Sequence, residues 1–343
     1  MRQLYEYQPV VGFRFIPDIK ARVRHEGGGY LIRTNSSGFR SDVDFAPTRT
    51  PGKKRILLFG DSYTAGEGVS NGRRYSDYLE RGLPNLEVYN FGLPATGTDQ
   101  HYLIYKEYAE SIEHDALVIA VFVENIRRVA SQYRYFLDDT GTKRLYEKPY
   151  YSLVDGDLTL NAVPPRKRPI DVEALPEEER AKIATTVRFP RLRSTFDRMR
   201  HNPTFEKLVV DGGLRDRLLG WSGYQPVPEY DDAAHPAWQV MQQVIGTWIQ
   251  EHPKPVMLMP IPIYHYVAGI ADPSKYQQRL RDATEEAGGT FFDPLPALQQ
   301  YSKHERRSFF YAGDGHLTSA GNEALAEALL PAVRDMIEGR TPA

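Results

Sequence analysis

The 343-residue chain contains no cysteine. Its fold closes without disulfides, and Cys-ligated zinc, iron–sulfur clusters and thiol nucleophiles are excluded. It also lacks a charge imbalance: 43 Lys and Arg face 45 Asp and Glu, a formal net charge of −2. A nucleic-acid binder needs a basic face to collect phosphates, so no nucleic-acid partner is expected. No apolar run reaches the roughly 18 residues of a transmembrane helix, so no integral membrane segment is expected. Met1-Arg2-Gln3-Leu4-Tyr5-Glu6-Tyr7 has no apolar signal-peptide core, and a cytoplasmic location is expected.

What is present is an alternating rhythm. Apolar runs at residues 55–59, 86–91, 116–123, 255–261 and 290–292 read as buried parallel strands. Stretches of helical period at 102–112, 237–250 and 276–287 stand between them, and a last helix is expected over 319–337. Strand, helix, strand in this order predicts an α/β fold with a parallel sheet. Residues 1–50 are turn-rich, with Gly27-Gly28-Gly29 and Ser36-Ser37-Gly38, and read as a lead-in that packs on the domain without forming its core.

The rhythm stops over residues 126–230, where no comparable strand is expected. A hairpin is predicted over 150–163, turning at Asp155-Gly156. Helices are predicted over 175–184, 189–199 and 205–219. The organisation expected is a lead-in (1–50), one domain from 51–125 and 231–343, and an inserted lid or substrate subdomain at 126–230. The insertion carries 19 Lys and Arg against 15 Asp and Glu, so any preference for an anionic group is expected there. Arg188, Arg191, Arg193, Arg198 and Arg200 form either a basic face or an ordinary salt-bridged helix.

In open α/β sheets, chemistry collects beyond the carboxyl ends of the strands. Gly60-Asp61-Ser62 follows the first run, Asn90-Phe91-Gly92 ends the second, and Glu124-Asn125 follows the third. Asp314-Gly315-His316 lies just before the final helix. A serine hydroxyl is a poor nucleophile until a base takes its proton, and His316 is the candidate base for Ser62. Residues two apart in an extended segment share a side, so Asp314 can fix the histidine's tautomer and stabilise the imidazolium. The Ser62 and Gly92 N–H groups and the Asn125 amide are candidate oxyanion donors. Asp61, Arg127 (beside Arg128) and His265, after the fourth run, are candidate substrate contacts. Ser62 is followed two residues later by Thr64 rather than by glycine, so it does not stand in the Gly-x-Ser-x-Gly nucleophile elbow of α/β-hydrolases.

The four blocks Gly60-Asp61-Ser62, Asn90-x-Gly92, Asn125 and Asp314-x-His316 resemble those of the SGNH (GDSL-type) hydrolase superfamily. The resemblance implies a flavodoxin-like three-layer α/β/α sandwich; it covers the framework on both sides of residues 126–230 and does not account for the large insertion that the rhythm places between the third and fourth strands of a five-stranded parallel sheet. It implies Ser62 as nucleophile, His316 and Asp314 as the rest of the triad, Gly92 and Asn125 as oxyanion donors, and no metal or other cofactor. Two positions depart from the pattern. The acid commonly stands three residues before the histidine, where this chain has Gly313, and Ile126 follows Asn125 where an aspartate is usual. Asn35-Ser36-Ser37-Gly38-Phe39-Arg40 also resembles the segment before the catalytic strand in one bacterial branch. The activity implied is hydrolysis of an acyl ester, with a small acyl group such as acetyl removed from a carbohydrate or similar polar small molecule. Transfer of that acyl group to an acceptor hydroxyl, and a catalytically silent binding module on the same scaffold, are the alternatives.

Overall fold

Before its first apolar run the chain makes two antiparallel hairpins, β1 (Tyr5–Gln8) with β2 (Gly12–Phe15) and β3 (Lys20–Val23) with β4 (Tyr30–Arg33). The computed structural model describes residues 4–137, 142–178, 180 and 219–340. Phe13, Phe15, Ala21 and Ile32 of these hairpins are buried in the same hydrophobic cluster as the main sheet. The lead-in therefore supplies part of the core, contrary to expectation. Its strands are four residues long, too short for their alternation to stand out among glycines.

The main sheet begins with β5 (Lys54–Phe59), followed by the short α1 (Ser62–Ala65) and α2 (Tyr75–Gly82). β6 (Leu86–Asn90) leads to α3 (Thr98–Ile104), which continues as a wider turn over Tyr105–Ala109. β7 (Ala116–Phe122) ends at α4 (Asn125–Val129). All seven residues of β7 are buried, as a central strand covered on both faces requires.

Two hairpins follow: β8 (Tyr133–Leu137) with β9 (Lys143–Glu147), and β10 (Tyr150–Val154) with β11 (Asp157–Asn161). The second turns where expected, Asp155 and Gly156 having φ of 52° and 93°, the positive values a two-residue hairpin loop needs. The first was not anticipated, although neither hairpin joins the parallel sheet. Its alternation is hidden because both strands carry charged residues at the pairing positions, such as Arg134 and Arg144. Between the hairpins Lys148 turns inward, its Nζ 2.6 Å from Asp99 Oδ2 of α3, with the two residues 2% and 0% exposed. Burial pushes the Asp99 carboxyl up and the Lys148 ammonium down, against their mutual attraction. The helices expected at 189–199 and 205–219, and the five arginines between 188 and 200, lie outside the described residues except at Leu219; of the helix expected at 175–184 only the start is described.

The rhythm then resumes with α5 (Pro236–Glu251), β12 (Val256–Ile261), α6 (Tyr264–Val267), α7 (Ser274–Glu286) and β13 (Thr290–Phe291). The short α8 (Leu295–Gln299) and α9 (Lys303–Ser308) lead to α10 (Ser319–Ile337). The sheet order is β6-β5-β7-β12-β13 with every pair parallel. Counting only sheet strands this is 2-1-3-4-5, the flavodoxin-like doubly wound order, flanked by helices. The order reverses between β5 and β7, the switch point at which folds of this order bind their ligands beyond the strands' carboxyl ends. Ser62 and Asn125 stand at those two ends. No described helix is long and apolar enough to cross a membrane.

Candidate active site

The strand-to-helix turn at Ser62 is built around close contacts. A Cβ on Gly60 would lie 2.0 Å from Thr64 Oγ1, so only glycine lets β5 run directly into α1. Asp61 caps the helix, its Oδ1 accepting the Tyr63 N–H at 3.0 Å, a contact of the kind that stabilises by about 1 kcal/mol. Buried Arg40 donates to the carbonyls of Gly66 and Val69 at 2.6 and 2.8 Å, holding the chain just beyond α1. That clasp gives the segment from Asn35 to Arg40 its structural purpose.

His316 reaches this turn from 254 residues away, its Nε2 2.8 Å from Ser62 Oγ. It does not stand directly at a strand end, because α8 and α9 intervene after β13. Its loop is instead closed by short bonds: the Tyr311 N–H donates to the His316 carbonyl (2.8 Å) and the Gly315 N–H to the Tyr311 carbonyl (2.9 Å). Tyr63, next to Ser62, donates its hydroxyl to the Gly315 carbonyl at 2.8 Å. The loop and the serine turn are thereby fixed to one another.

Asp314 meets His316 as the two-residue spacing predicts. Its Oδ1 accepts the His316 backbone N–H at 3.0 Å, and its Oδ2 lies 3.1 Å from Nδ1. The second contact has hydrogen-bond distance without good alignment, a common state of catalytic pairs before substrate tightens them. With Nδ1 protonated toward the carboxylate, Nε2 is free to accept the Ser62 proton. Burial disfavours the charged imidazole, but the Asp314 contact and the charges of Glu67 and Asp61 outweigh it, so the His316 pKa is raised. Glu67 Oε2 is 3.6 Å from Nε2. The Asp314 carboxyl, partly buried, is nevertheless held far below the usual range by its contacts with His316 and His25.

Sequence reasoning missed His25, Glu26, Tyr63 and Glu67. His25 Nε2 lies 2.7 Å from Asp314 Oδ2, and the Glu26 carboxylate accepts the Gly313 N–H at 2.9 and 3.0 Å. Nothing in local spacing marks a pair 289 residues apart. Potential ligand atoms of His25, Glu26 and Asp314 come within 4.8 Å of one another, but these contacts already engage all three side chains.

On the other side of Ser62, Asn125 is fully buried and its Oδ1 accepts from Arg128 Nη1 at 3.0 Å. That bond fixes which end of the amide is which. Nδ2 is left buried with no partner among the described residues. The same Arg128 nitrogen pairs with Asp61 Oδ2 and donates to the Thr96 carbonyl at 3.1 Å.

Three expectations are corrected here. Gly92 is not available as an oxyanion donor, because its N–H is given to Asn90 Oδ1 at 2.8 Å. It is glycine because a Cβ would sit 2.3 Å from Ala65 N, where the loop after β6 presses on α1. Asp61 is 0% exposed and spent on the cap and on Arg128, so it does not face substrate. Arg127 turns away to Glu229 (2.6 Å) and the Pro226 carbonyl (2.6 Å), and Arg128 reaches the site in its place. His265 packs its ring against Tyr224 and Tyr264 at the start of α6.

No family profile matches the chain, and no curated protein matches it. Among solved structures it is similar to a lipase/acylhydrolase from Enterococcus faecalis, at 14% identity and TM-score 0.42, covering 84% of this chain and 98% of that one. An acetyl xylan esterase, AlAXEase, is similar at 12% identity and TM-score 0.43, over 81% of this chain and 99% of that one. A member of the lipolytic G-D-S-L family from Veillonella parvula is similar at 12% identity and TM-score 0.37, over 81% and 96%. All three likenesses are distant.

Proposed function

We propose that the chain is an SGNH-type serine hydrolase that cleaves acyl esters. One observation carries this: Ser62 Oγ lies 2.8 Å from His316 Nε2, with Asp314 against the far nitrogen of the same ring. Ser62 attacks the ester carbonyl as Nε2 takes its proton, and the carbonyl oxygen becomes an oxyanion. Asn125 Nδ2 and the Ser62 N–H receive that charge. The imidazolium, stabilised by Asp314, gives its proton to the departing alcohol. A water activated by the same nitrogen then releases the acid and restores Ser62.

The substrate class we favour is a small acyl group such as acetyl on a polar alcohol. Ser62 is only 3% exposed, which suits a small acyl group, and the segment 126–230, read as a lid or substrate subdomain, holds the half-buried Tyr133, Tyr135, Tyr146, Tyr150 and Tyr151. Aromatic faces of this kind pack against sugar rings while their hydroxyls serve hydrogen bonds. The test is turnover of p-nitrophenyl acetate. Ser62→Ala should lower kcat at least about a thousandfold, and a fluorophosphonate should label wild type at Ser62 only. Unchanged turnover in the variant refutes the assignment.

A further inference from the structure

Asp314 is shared. One of its oxygens faces two imidazoles: His316 Nδ1 at 3.1 Å and His25 Nε2 at 2.7 Å. The shorter contact belongs to the histidine that takes no direct part in the chemistry.

The orientation of His25 is defined on both sides. Its Nδ1 accepts the Gly27 N–H at 3.3 Å, so in the neutral ring the proton sits on Nε2 and is donated to Asp314. The ring is wedged edge-on against Tyr311 (centroids 4.4 Å apart) and Tyr30 (5.8 Å), and its side chain is 10% exposed. The neighbouring Glu26 holds the Gly313 N–H, and a Cβ on Gly27 would lie 2.6 Å from Tyr311 Cε1. Three consecutive residues of the turn between β3 and β4 are thus fitted to the loop that carries the acid and the base.

A carboxylate in a triad works only if it stays in place and keeps its charge toward the base. The local bond from Oδ1 to the His316 N–H fixes one oxygen, and His25 fixes the other. We propose that His25 is a positioning residue: by donating to Asp314 Oδ2 it completes a four-member chain, Ser62–His316–Asp314–His25, and makes the N-terminal hairpin a working part of the catalytic site. This rests on the triad assignment above, and extends it to a residue outside the four motif blocks.

The groups around His316 set the pH behaviour. Asp314 and His25 face it from the loop side, Glu67 and Tyr63 from the nucleophile turn, and Asp61 lies deeper. Removing the His25 donor leaves more of the Asp314 charge directed at His316, so the His316 pKa rises further. Turnover needs the neutral imidazole, and the acid limb of kcat/KM moves to higher pH.

The experiment compares two replacements on p-nitrophenyl acetate. His25→Phe keeps the ring between Tyr30 and Tyr311 but removes the donor; His25→Gln restores an N–H at the Nε2 position. The expected result is about a tenfold loss of kcat in His25→Phe with KM unchanged, about 1.4 kcal/mol at the transition state, and an acid limb displaced upward. His25→Gln should recover most of the rate and return the limb toward wild type. A His25→Phe enzyme with wild-type kcat and pH profile overturns the proposal, as does a His25→Gln enzyme that is equally impaired with an unmoved limb. If His25→Phe does not fold, His25→Ala with and without added imidazole replaces it: restored turnover supports the proposal, and no response to imidazole at full Ser62 labelling overturns it. Loss of Ser62-dependent turnover in wild type is a different result and removes the triad assignment itself.

Discussion

The two sides of Ser62 are built from different materials. On one side Asp314 and His316 have side chains 36% and 17% exposed, and they are steadied by a histidine and a glutamate from the N-terminal hairpins. On the other, Asn125 and Asp61 are fully buried and one arginine holds both. The difference suits the work that the proposed mechanism gives each side. A proton relay must exchange protons and tolerate a charge that comes and goes, which favours contact with water. An oxyanion donor acts by a fixed dipole in a dry place, where it is worth more than it is in water.

The sharpest way to break that contrast is Asn125→Ala. Loss of the unpartnered Nδ2 should lower kcat about 100- to 1000-fold while leaving the acid limb of the pH profile where it is. A displaced limb would show that the dry side also tunes the base, and the division would fall.

Arg128→Met comes next. It leaves the Asp61 carboxylate buried without its partner and frees the Asn125 amide to rotate. Arg128 itself is 21% exposed, so the expected cost is about 2–3 kcal/mol of stability rather than the full penalty of a sealed pair, read from urea unfolding. In the folded fraction kcat should fall about tenfold, again with an unmoved limb. Wild-type kcat in a folded variant would mean the amide holds its orientation without help.

The smallest effect belongs to the wet side. His316 has a raised pKa, and the base must be neutral to work, so activity should rise with pH through a midpoint above the ordinary imidazole value of about 6.5. Glu67→Gln removes one contributing charge and should lower that midpoint by a few tenths of a unit in kcat/KM profiles, without lowering kcat on the plateau. A midpoint below 6.5 in wild type would mean burial, not the neighbouring carboxylates, governs the histidine.

Much of this was legible in the sequence, and the boundary is physical. β7 and β12 declare themselves because a parallel strand covered on both faces is an apolar run. Ser62 and Asn125 could be picked out because strand ends gather chemistry in this topology, His316 because it precedes the last helix, and Asp314 because residues two apart share a side. His25 and Glu26 gave no signal, since their partners lie almost 300 residues on and no period connects them. Gly92 shows the reverse error. Its motif was visible, but whether an N–H is free or already donated depends on a side chain two residues earlier, Asn90, whose rotamer spacing does not reveal. The β8–β9 hairpin was hidden for a third reason: charged residues within a short, partly exposed ribbon blur its alternation.

The lysine that dips between the two inserted hairpins has a bearing on how such a protein can change over time. Lys148 neutralises a carboxylate on α3, a helix of the main domain, from a segment that topology alone would allow to be dropped. A lineage that shortened this segment would be left with an orphaned anion inside its scaffold, at a price no surface loop normally carries. Dropping the hairpins is therefore expected to require a neutral residue in place of Asp99.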